Sequence, residues 1–418
     1  MPEAPAWRFQ KIIKPMFDIP APPRILAGGR VLTCRGDEII ADGFVEIVDG
    51  HIQAVGRLSD LGNSTAKRID CAGKTIMPGL INSHAHLAWD GVHDLARQSL
   101  DDPSEISAYK CAGNMLKSLR AGITLVRDLG MNQSNIFAKQ AVEQGIFPGP
   151  RLLVTGEAIV QTGGHTYWCC REASGADEMR RAVRDQVKHG ADLIKIMASH
   201  DTIEFTDAEL HAVIDETRRN GLTITAHATF DAVIRRVAEF GVDVIEHGGS
   251  MSDETIQLLL DKGIPIVTTF APLVMQAQPE LARQYDIPEW KIAERRRAVA
   301  SRERFDGLIR AARAGVTIAF GTDAGSPVVG HEVVAPELKF MVELGVKRDN
   351  YDALRSATSV AAGVNNLADT LGSLETGKAA DIIVMDGDPL TDLGALERVE
   401  QVYIAGKRMW QTKTGAKK

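Results

Sequence analysis

The sequence has few cysteines, and none of them are paired in a metal-binding spacing. Its five cysteines are Cys34, Cys71, Cys111, Cys169 and Cys170, and no CxxC pair occurs. An odd number of scattered cysteines indicates a reducing compartment rather than a disulfide framework. We interpret the adjacent Cys169 and Cys170 as packing residues, because neighbouring cysteines rarely bond each other and this pair fits no nucleophile pattern.

Long apolar runs and an excess of positive charge are also missing. No run approaches the roughly 20 apolar residues that cross a bilayer, and "MPEAPAWRFQKIIKPMF" lacks the apolar centre of a secretory signal. The formal net charge is −7, whereas nucleic-acid binding needs a concentrated basic surface. We therefore expect no membrane span and no nucleic-acid partner. The protein is expected to be cytoplasmic, or the processed form of an exported one.

The sequence does contain a series of apolar strand-like segments that alternate with amphipathic segments. With 44% hydrophobic residues in 418, the chain can bury a large core. The eight strand-like segments span 79–87, 123–130, 151–160, 191–200, 222–230, 242–250, 264–272 and 316–327. Helical stretches such as "DEMRRAVRDQVKHG" and "FDAVIRRVAEFG" lie between them and end in glycine, a common helix C-cap. This array predicts a (β/α)₈ TIM barrel over residues 79–371.

The two flanks of the barrel have a different pattern. Residues 24–74 alternate apolar and polar side chains around Gly and Asp turns, and "GSLETGKAADIIVMDGDP" and "RVEQVYIAGKRMWQ" resume the alternation. We predict one small β-sandwich domain built from residues 1–78 and 372–418. The alternative is two unrelated β appendages.

Candidate metal ligands fall where the first and fourth barrel strands end. His84 and His86 in "INSHAHLAWD" are two residues apart, so on a strand they share one face. Lys195 is an ammonium inside the apolar run "DLIKIMAS", and burial shifts such a group toward its neutral form. Neutral lysine can react with carbon dioxide to give a carbamate that bridges two metals. The alternative is a lysine whose head snorkels at the strand end.

Three further candidates end later strands. They are His227 in "TAHATF", His247 in "IEHGG" and Asp323 in "FGTDAGS". Each alone is more often an ordinary core or turn residue, but the six together are improbable by chance. Histidine and carboxylate ligands suit zinc, and also cobalt, manganese or iron.

The sequence resembles the amidohydrolase superfamily over nearly its whole length. The motifs that carry the resemblance are "PGLINSHAHL", Lys195, the two later histidines, "GTDAG" and the closing "LGSLETGKAADIIVMD". The segments "QTGGHT", "IEHGG" and "GTDAGSPVVGHE" are similar to the imidazolonepropionase-like branch. That branch contains dipeptidases of the prolidase and carboxypeptidase type, ochratoxin-hydrolysing amidases, and hydrolases of carbamate or urea herbicides. The resemblance also implies a homo-oligomer.

The resemblance implies a binuclear mechanism. Two divalent ions roughly 3.5–4 Å apart would share a nucleophilic hydroxide. The first ion would be held by His84, His86 and Asp323, the second by His227 and His247, and carboxylated Lys195 would bridge them. Asp323 would take the proton of the hydroxide and pass it to the departing amine.

Substrate contacts are expected in the loops after the strands. His165 follows strand three, where the family places a histidine facing the substrate carbonyl or carboxylate; the alternative is a loop histidine. The family's dipeptidases often carry a tyrosine two residues after the strand-five histidine, but here Thr229 and then Phe230 follow. This departure leaves room for a bulkier or less polar acyl group. Other candidate pocket residues are Trp89, Tyr167, Trp168, Phe270 and, at the rim, His331.

The leading hypothesis is a metal-dependent amidase that releases an amino acid from an N-acyl or peptidyl partner, with ochratoxin A or a dipeptide as typical substrates. The alternative within the enzymes is a hydrolase of a cyclic amide, a carbamate or a phenylurea. A scaffold protein that has lost catalysis is disfavoured, because all six candidate ligands are present.

Overall fold

The computed structural model describes residues 22–199 and 202–412. The N-terminal segment quoted above, His200 and the outermost parts of the predicted β domain lie outside these residues. The strands are β1 (Arg24–Leu32), β2 (Ile39–Val48), β3 (His51–Arg57), β4 (Lys67–Asp70), β5 (Lys74–Pro78), β6 (Leu80–Ala85), β7 (Ile123–Asp128), β8 (Arg151–Val154), β9 (Ile159–Val160), β10 (Arg171–Glu172), β11 (Leu193–Met197), β12 (Thr223–Ala228), β13 (Val244–His247), β14 (Ile266–Thr268), β15 (Ile318–Phe320), β16 (Ile382–Asp386), β17 (Val399–Ile404) and β18 (Lys407–Gln411).

Helices separate most of the central strands. They are α1 (Leu95–Asp101), α2 (Ser104–Arg120), α3 (Ser134–Glu143), α4 (Ala176–His189), α5 (Asp207–Arg219), α6 (Asp231–Phe240), α7 (Asp253–Lys262), α8 (Ala271–Gln276), α9 (Pro279–Gln284), α10 (Glu289–Ser301), α11 (Glu303–Ala314), α12 (Ala335–Glu343), α13 (Asn350–Ser356) and α14 (Ser359–Val364). The two helices predicted to stop at glycine do so. Gly190 after α4 has φ +103° and Gly241 after α6 has φ +91°, a left-handed conformation that glycine adopts without strain.

All eight predicted apolar segments contain a strand, and these strands pair in parallel. Among the described residues the ladders form two arcs: β6-β7-β8, and β10-β9-β11-β12-β13-β14-β15. Backbone hydrogen bonds outside these ladders link the two arcs. The backbone N–H of Asp192 donates to Val154 O at 2.8 Å, and that of His86 donates to Ala324 O at 2.8 Å. The α/β architecture with a parallel sheet is therefore confirmed, whereas a fully closed barrel stays a prediction.

Strands from both flanks share one further sheet. Its order is β18-β17-β16-β5-β1-β2-β3, with β4 also paired to β1. The two flanks meet where β5 runs antiparallel to β16, with Pro78 opposite Ile382. Both flanks thus contribute strands to one sheet, which agrees with the predicted single β domain. The two-layered sandwich and the boundaries at 78/79 and 371/372 stay predictions.

The large core spans the division between the two regions. One cluster of buried side chains joins the central strands to their helices and continues into the β domain through Ile383 and Val402. A smaller cluster, including Leu26, Val45, Ile382 and Tyr403, lies within the β domain. Within the described ranges, no helix has the length and apolar character needed to cross a membrane.

Candidate metal centre

The carboxyl ends of the parallel strands bring the six predicted metal ligands to one cavity of about 150 Å³. They come from β6 and the residue after it, β11, β12, β13 and the turn after β15: His84, His86, Lys195, His227, His247 and Asp323. Because parallel strands end at the same rim, residues up to 239 positions apart in the chain become neighbours.

The histidine rings form a connected group. The ring centroid of His84 lies 5.3 Å from that of His86 and 4.6 Å from that of His247. His227 lies 4.5 Å from His247 and 4.6 Å from His165. The group therefore runs from strand one to the loop after strand three.

Asp323 faces two of these rings. Its Oδ1 atom lies 3.1 Å from Nε2 of His86 and 3.4 Å from Nε2 of His84. Its backbone has φ +56°, a conformation that non-glycine residues rarely adopt, and its N–H donates to His84 O at 2.9 Å. The strained turn after β15 thus aims the carboxylate back at strand one.

The hydrogen bonds of three histidines suit metal binding. Nδ1 of His84 lies 2.7 Å from Glu246 Oε2, Nδ1 of His86 lies 2.7 Å from Gly130 O, and Nδ1 of His247 lies 2.7 Å from Thr269 Oγ1. A histidine whose Nδ1–H is donated to an acceptor presents the lone pair of Nε2 to an ion. One ligand atom each from His84, His247 and Asp323 also lie within 4.8 Å of one another. This donor set fits a divalent metal ion.

Glu246 is a site residue that sequence reasoning missed. It is completely buried in β13, and its Oε1 accepts from Arg127 Nη2 at 2.6 Å and from Thr225 Oγ1. Burial alone would raise the pKa of this carboxyl, but the charges of Arg127 and His84 lower it to about 2. The ionised carboxylate can therefore hold the imidazole of His84 in one orientation. The signal in the sequence was a carboxylate beside a predicted ligand in "IEHGG".

Lys195 is 2% exposed, in a strand whose five residues are all buried. Burial lowers the pKa of its amine to about 8, while the charges of Glu246 and Asp323 oppose this shift. The neutral amine, which is the form that reacts with carbon dioxide, is therefore a much larger fraction near neutral pH than in an ordinary lysine.

The pKa shifts of His227, His247 and Asp323 agree with a cationic occupant. Burial lowers the pKa of His227 and of His247 well below the usual histidine value, and neighbouring histidines add to the effect. Although burial raises the pKa of Asp323, its close contacts with His84 and His86 hold it well below its usual value. Burial opposes the shift at His86, but its contact with Asp323 raises the pKa of that ring. Neutral imidazoles and an ionised carboxylate are the ligand forms that a metal requires.

Some of the predicted substrate contacts line the same cavity. His165 lies in its wall, and its backbone N–H donates to Glu204 Oε1 at 2.7 Å. The Trp89 ring lies 4.5 Å from that of His86, and its Nε1 donates to Ser99 Oγ at 2.9 Å. Trp168 also lines the cavity, whereas the neighbouring Tyr167 is 52% exposed.

Other predicted contacts lie elsewhere. Of the described residues, the cavity wall includes neither Thr229 nor Phe230, and it lacks His331 and Phe270 as well. His331 is buried with its Nε2 atom 2.9 Å from Trp89 O, so it supports the loop after strand one from behind. Phe230 and Phe270 pack in the core. A role for these residues in substrate binding stays a prediction.

The cavity also has wall residues that the sequence analysis did not place there. They include Leu129, Met131, Ser326, Cys169 and Cys170. Loop residues of this kind lack a periodic pattern, so their position depends on how the loops fold over the strand ends.

Comparison with known proteins agrees with this geometry. The family model described as "Amidohydrolase family" matches residues 75–409. Ochratoxinase of Aspergillus niger is 28% identical, with 90% of this chain and 85% of that protein covered. A crystal structure of a prolidase complexed with N-methylphosphonate-L-proline is 29% identical and superposes with a TM-score of 0.84, covering 93% of this chain and 100% of that one. A crystal structure of an amidohydrolase is 31% identical, with a TM-score of 0.83 and coverages of 94% and 100%.

These similarities extend over both the parallel strands and the β domain. They confirm the resemblance to the imidazolonepropionase-like branch, with its prolidase-type and ochratoxin-hydrolysing members, that the strand-end motifs predicted. The chain therefore belongs to the amidohydrolase family, and it is a hydrolase.

Proposed function

We propose that this protein is a binuclear metal-dependent amidohydrolase that cleaves the amide bond of an N-acyl amino acid or a peptide-like substrate. One observation supports the proposal above all others. His84, His86 and His247 each have Nδ1 within 2.7 Å of an acceptor oxygen, and Asp323 approaches the Nε2 atoms of the first two. Such an arrangement orients ligand atoms toward a common centre before any ion binds.

The two ions are assigned to the six residues by position. His84, His86 and Asp323 would hold the first ion, His227 and His247 would hold the second, and Lys195, once carboxylated, would supply a ligand to both. Zinc is the expected metal, with cobalt, manganese or iron as alternatives. When bound, the ions polarise the scissile carbonyl and make water nucleophilic at neutral pH.

Asp323 acts in proton transfer. Its low pKa keeps the carboxylate ionised, so it can accept a proton from the attacking water and then deliver it to the departing amine. His165, whose ring centroid lies 4.6 Å from that of His227 at the cavity wall, is placed to orient the carbonyl or carboxylate of the substrate.

The cavity and the relatives support the proposed substrate class. The similar proteins are named ochratoxinase and prolidase, and the prolidase structure is a complex with N-methylphosphonate-L-proline. The ring centroids of Trp89 and Trp168 lie 5.9 Å apart in the cavity wall. Two aromatic rings at this position favour an apolar or aromatic acyl group. We infer that the protein prefers such acyl groups over small polar dipeptides. We also infer a closed barrel, a two-layered β sandwich and a homo-oligomer.

Two measurements test this function. The first is the metal content of protein purified without chelators: about two ions per chain are expected, and less than one would exclude the binuclear mechanism and favour a scaffold role. The second compares kcat/KM over N-acyl amino acids, dipeptides ending in proline, ochratoxin A and phenylureas. His227→Asn is expected to abolish amide cleavage, whereas His189→Asn, on the exposed end of α4, serves as the matched control. A metal-loaded protein that cleaves only phenylureas or carbamates would contradict the amide assignment.

A further inference from the structure

Two thiols lie side by side in the wall of the metal cavity. Cys169 and Cys170 both line the cavity that contains the six candidate ligands. Their Sγ atoms are 4.0 Å apart, and both residues are partly exposed. The proposed hydrolysis uses neither of them.

Thr166 holds both sulfur atoms in place. The Sγ atom of Cys169 donates to Thr166 O at 3.3 Å, and Thr166 Oγ1 lies 3.5 Å from Sγ of Cys170. The backbone of Thr166 has φ +53°, a left-handed conformation that begins the tight turn carrying both cysteines. The turn therefore presents two sulfur atoms to one small ligand, although adjacent residues would point apart in an extended strand.

The other three cysteines differ in burial. Cys34, Cys71 and Cys111 are fully buried, and burial raises the pKa of Cys34 to about 12 and that of Cys71 to about 11. Buried thiols in apolar surroundings are inert. The pKa of Cys169 is also raised, by the neighbouring Cys170 and by burial, so the pair differs from the other three cysteines in its exposure to a ligand in the cavity.

We propose that Cys169 and Cys170 form a chelating site for trivalent arsenicals and comparable thiophilic groups, and that its occupation closes the metal cavity. Two sulfur atoms bound to one arsenic gain a chelate advantage of about 100-fold or more over a single thiol, because the second bond forms intramolecularly. The cavity of about 150 Å³ is close to the size that holds one benzene ring. A bound aryl arsenical would thus occupy the space that a substrate needs.

The chemistry requires no oxidant. In phenylarsine oxide the As=O bond breaks, two As–S bonds form, and the oxygen leaves as water with the two thiol protons. Arsenic stays trivalent throughout, and neither sulfur is oxidised.

The experiment uses the native metal-loaded protein and phenylarsine oxide. Thiols that react with Ellman's reagent are counted before and after one equivalent of arsenical, and the mass of the intact protein is measured. We expect two reactive thiols, both protected by one arsenical per chain, together with loss of amidase activity. Cys169→Ala and Cys170→Ala are each expected to leave one reactive thiol and to bind the arsenical at least about 100-fold more weakly.

Cys71→Ala is the matched control, because Cys71 lies in the β domain away from the cavity, and it should behave as the unmodified protein does. Thermal unfolding of each variant verifies that it is folded. Uptake of the arsenical by a folded Cys169→Ala, Cys170→Ala double variant would overturn the site. Protection of both thiols with full retention of activity would overturn the closure of the cavity. Thiol counting and mass do not depend on catalysis, so a failure of the proposed function would be distinguished from a failure of this site.

Discussion

Glu246 Oε2 lies 2.7 Å from Nδ1 of His84, and neither side chain is more than 1% exposed. The same carboxylate accepts from the buried Arg127, so one acidic group both neutralises a guanidinium and orients an imidazole. The candidate metal centre therefore lies over a buried charged network that holds the ring of His84 in place.

Replacing this carboxylate tests the network. Glu246→Gln keeps the shape but removes the charge that orients His84, so metal affinity and activity should each fall by about 10- to 100-fold. Metal titration of the apoprotein measures the change. Glu239→Gln, on the exposed face of α6, is the matched control. Unchanged metal affinity in a folded Glu246→Gln variant would mean that the hydrogen bond to His84 has no role in metal binding.

Lys195→Ala tests the bridging carbamate. The variant should lose at least one ion and nearly all activity, because the remaining ligands cannot join two ions. Acetate or propionate, which can occupy the space of the missing carbamate, should restore part of both. Lys188→Ala, at the exposed end of α4, should retain activity and metal. Two ions and full activity in Lys195→Ala would show that the bridging assignment is wrong.

Asp323→Asn tests proton transfer. General acid and base catalysis typically contributes about 10²- to 10⁴-fold, so kcat should fall within that range or beyond it. Activity on an amide and on the corresponding activated ester should be compared, because a good leaving group needs less help from an acid. The exposed Asp306→Asn in α11 is the control. An equal, small loss on both substrates would argue against Asp323 as the proton donor.

The raised pKa of Glu337 predicts that the stability of the folded protein depends on pH. This buried carboxylate in α12 accepts from the backbone N–H groups of Phe270 and Ala271 at 2.8 and 2.6 Å, yet burial raises its pKa to about 8. A raised pKa means that the folded state holds its proton more tightly than the unfolded state. This contribution to stability is therefore present below the unfolded pKa of 4.5 and is lost as pH rises through about 8.

Glu337→Gln removes the titration while keeping an acceptor oxygen. The free energy of unfolding of the unmodified apoprotein should decline between about pH 5 and about pH 8 relative to that of the variant. Denaturant unfolding across this range measures the difference, with the exposed Glu332→Gln as control. A rise in relative stability over the same interval would contradict the expected sign.

Sequence reasoning located the strands and the six candidate ligands because both depend on local patterns. Apolar runs predict buried strands, and parallel strands end at one rim, so His84 and Asp323 could be placed together without coordinates. Sequence reasoning missed Glu246 because it precedes the predicted ligand His247 in the same strand, and adjacent residues of a strand normally point to opposite faces. His247 has φ +69°, which interrupts that alternation at the end of β13. His331 contacts Trp89 from 242 positions away, and nothing in its local sequence indicates such a contact.

The pairing of β5 with β16 has a consequence for biosynthesis. Pro78 and Ile382 are neighbours across this ladder although about 300 residues separate them along the chain. During synthesis, the parallel strands and their helices leave the ribosome before β16 is available to pair. The edge of β5 that pairs with β16 therefore stays unpaired while most of the chain is made, and an unpaired strand edge of this kind can pair with another chain and lead to aggregation.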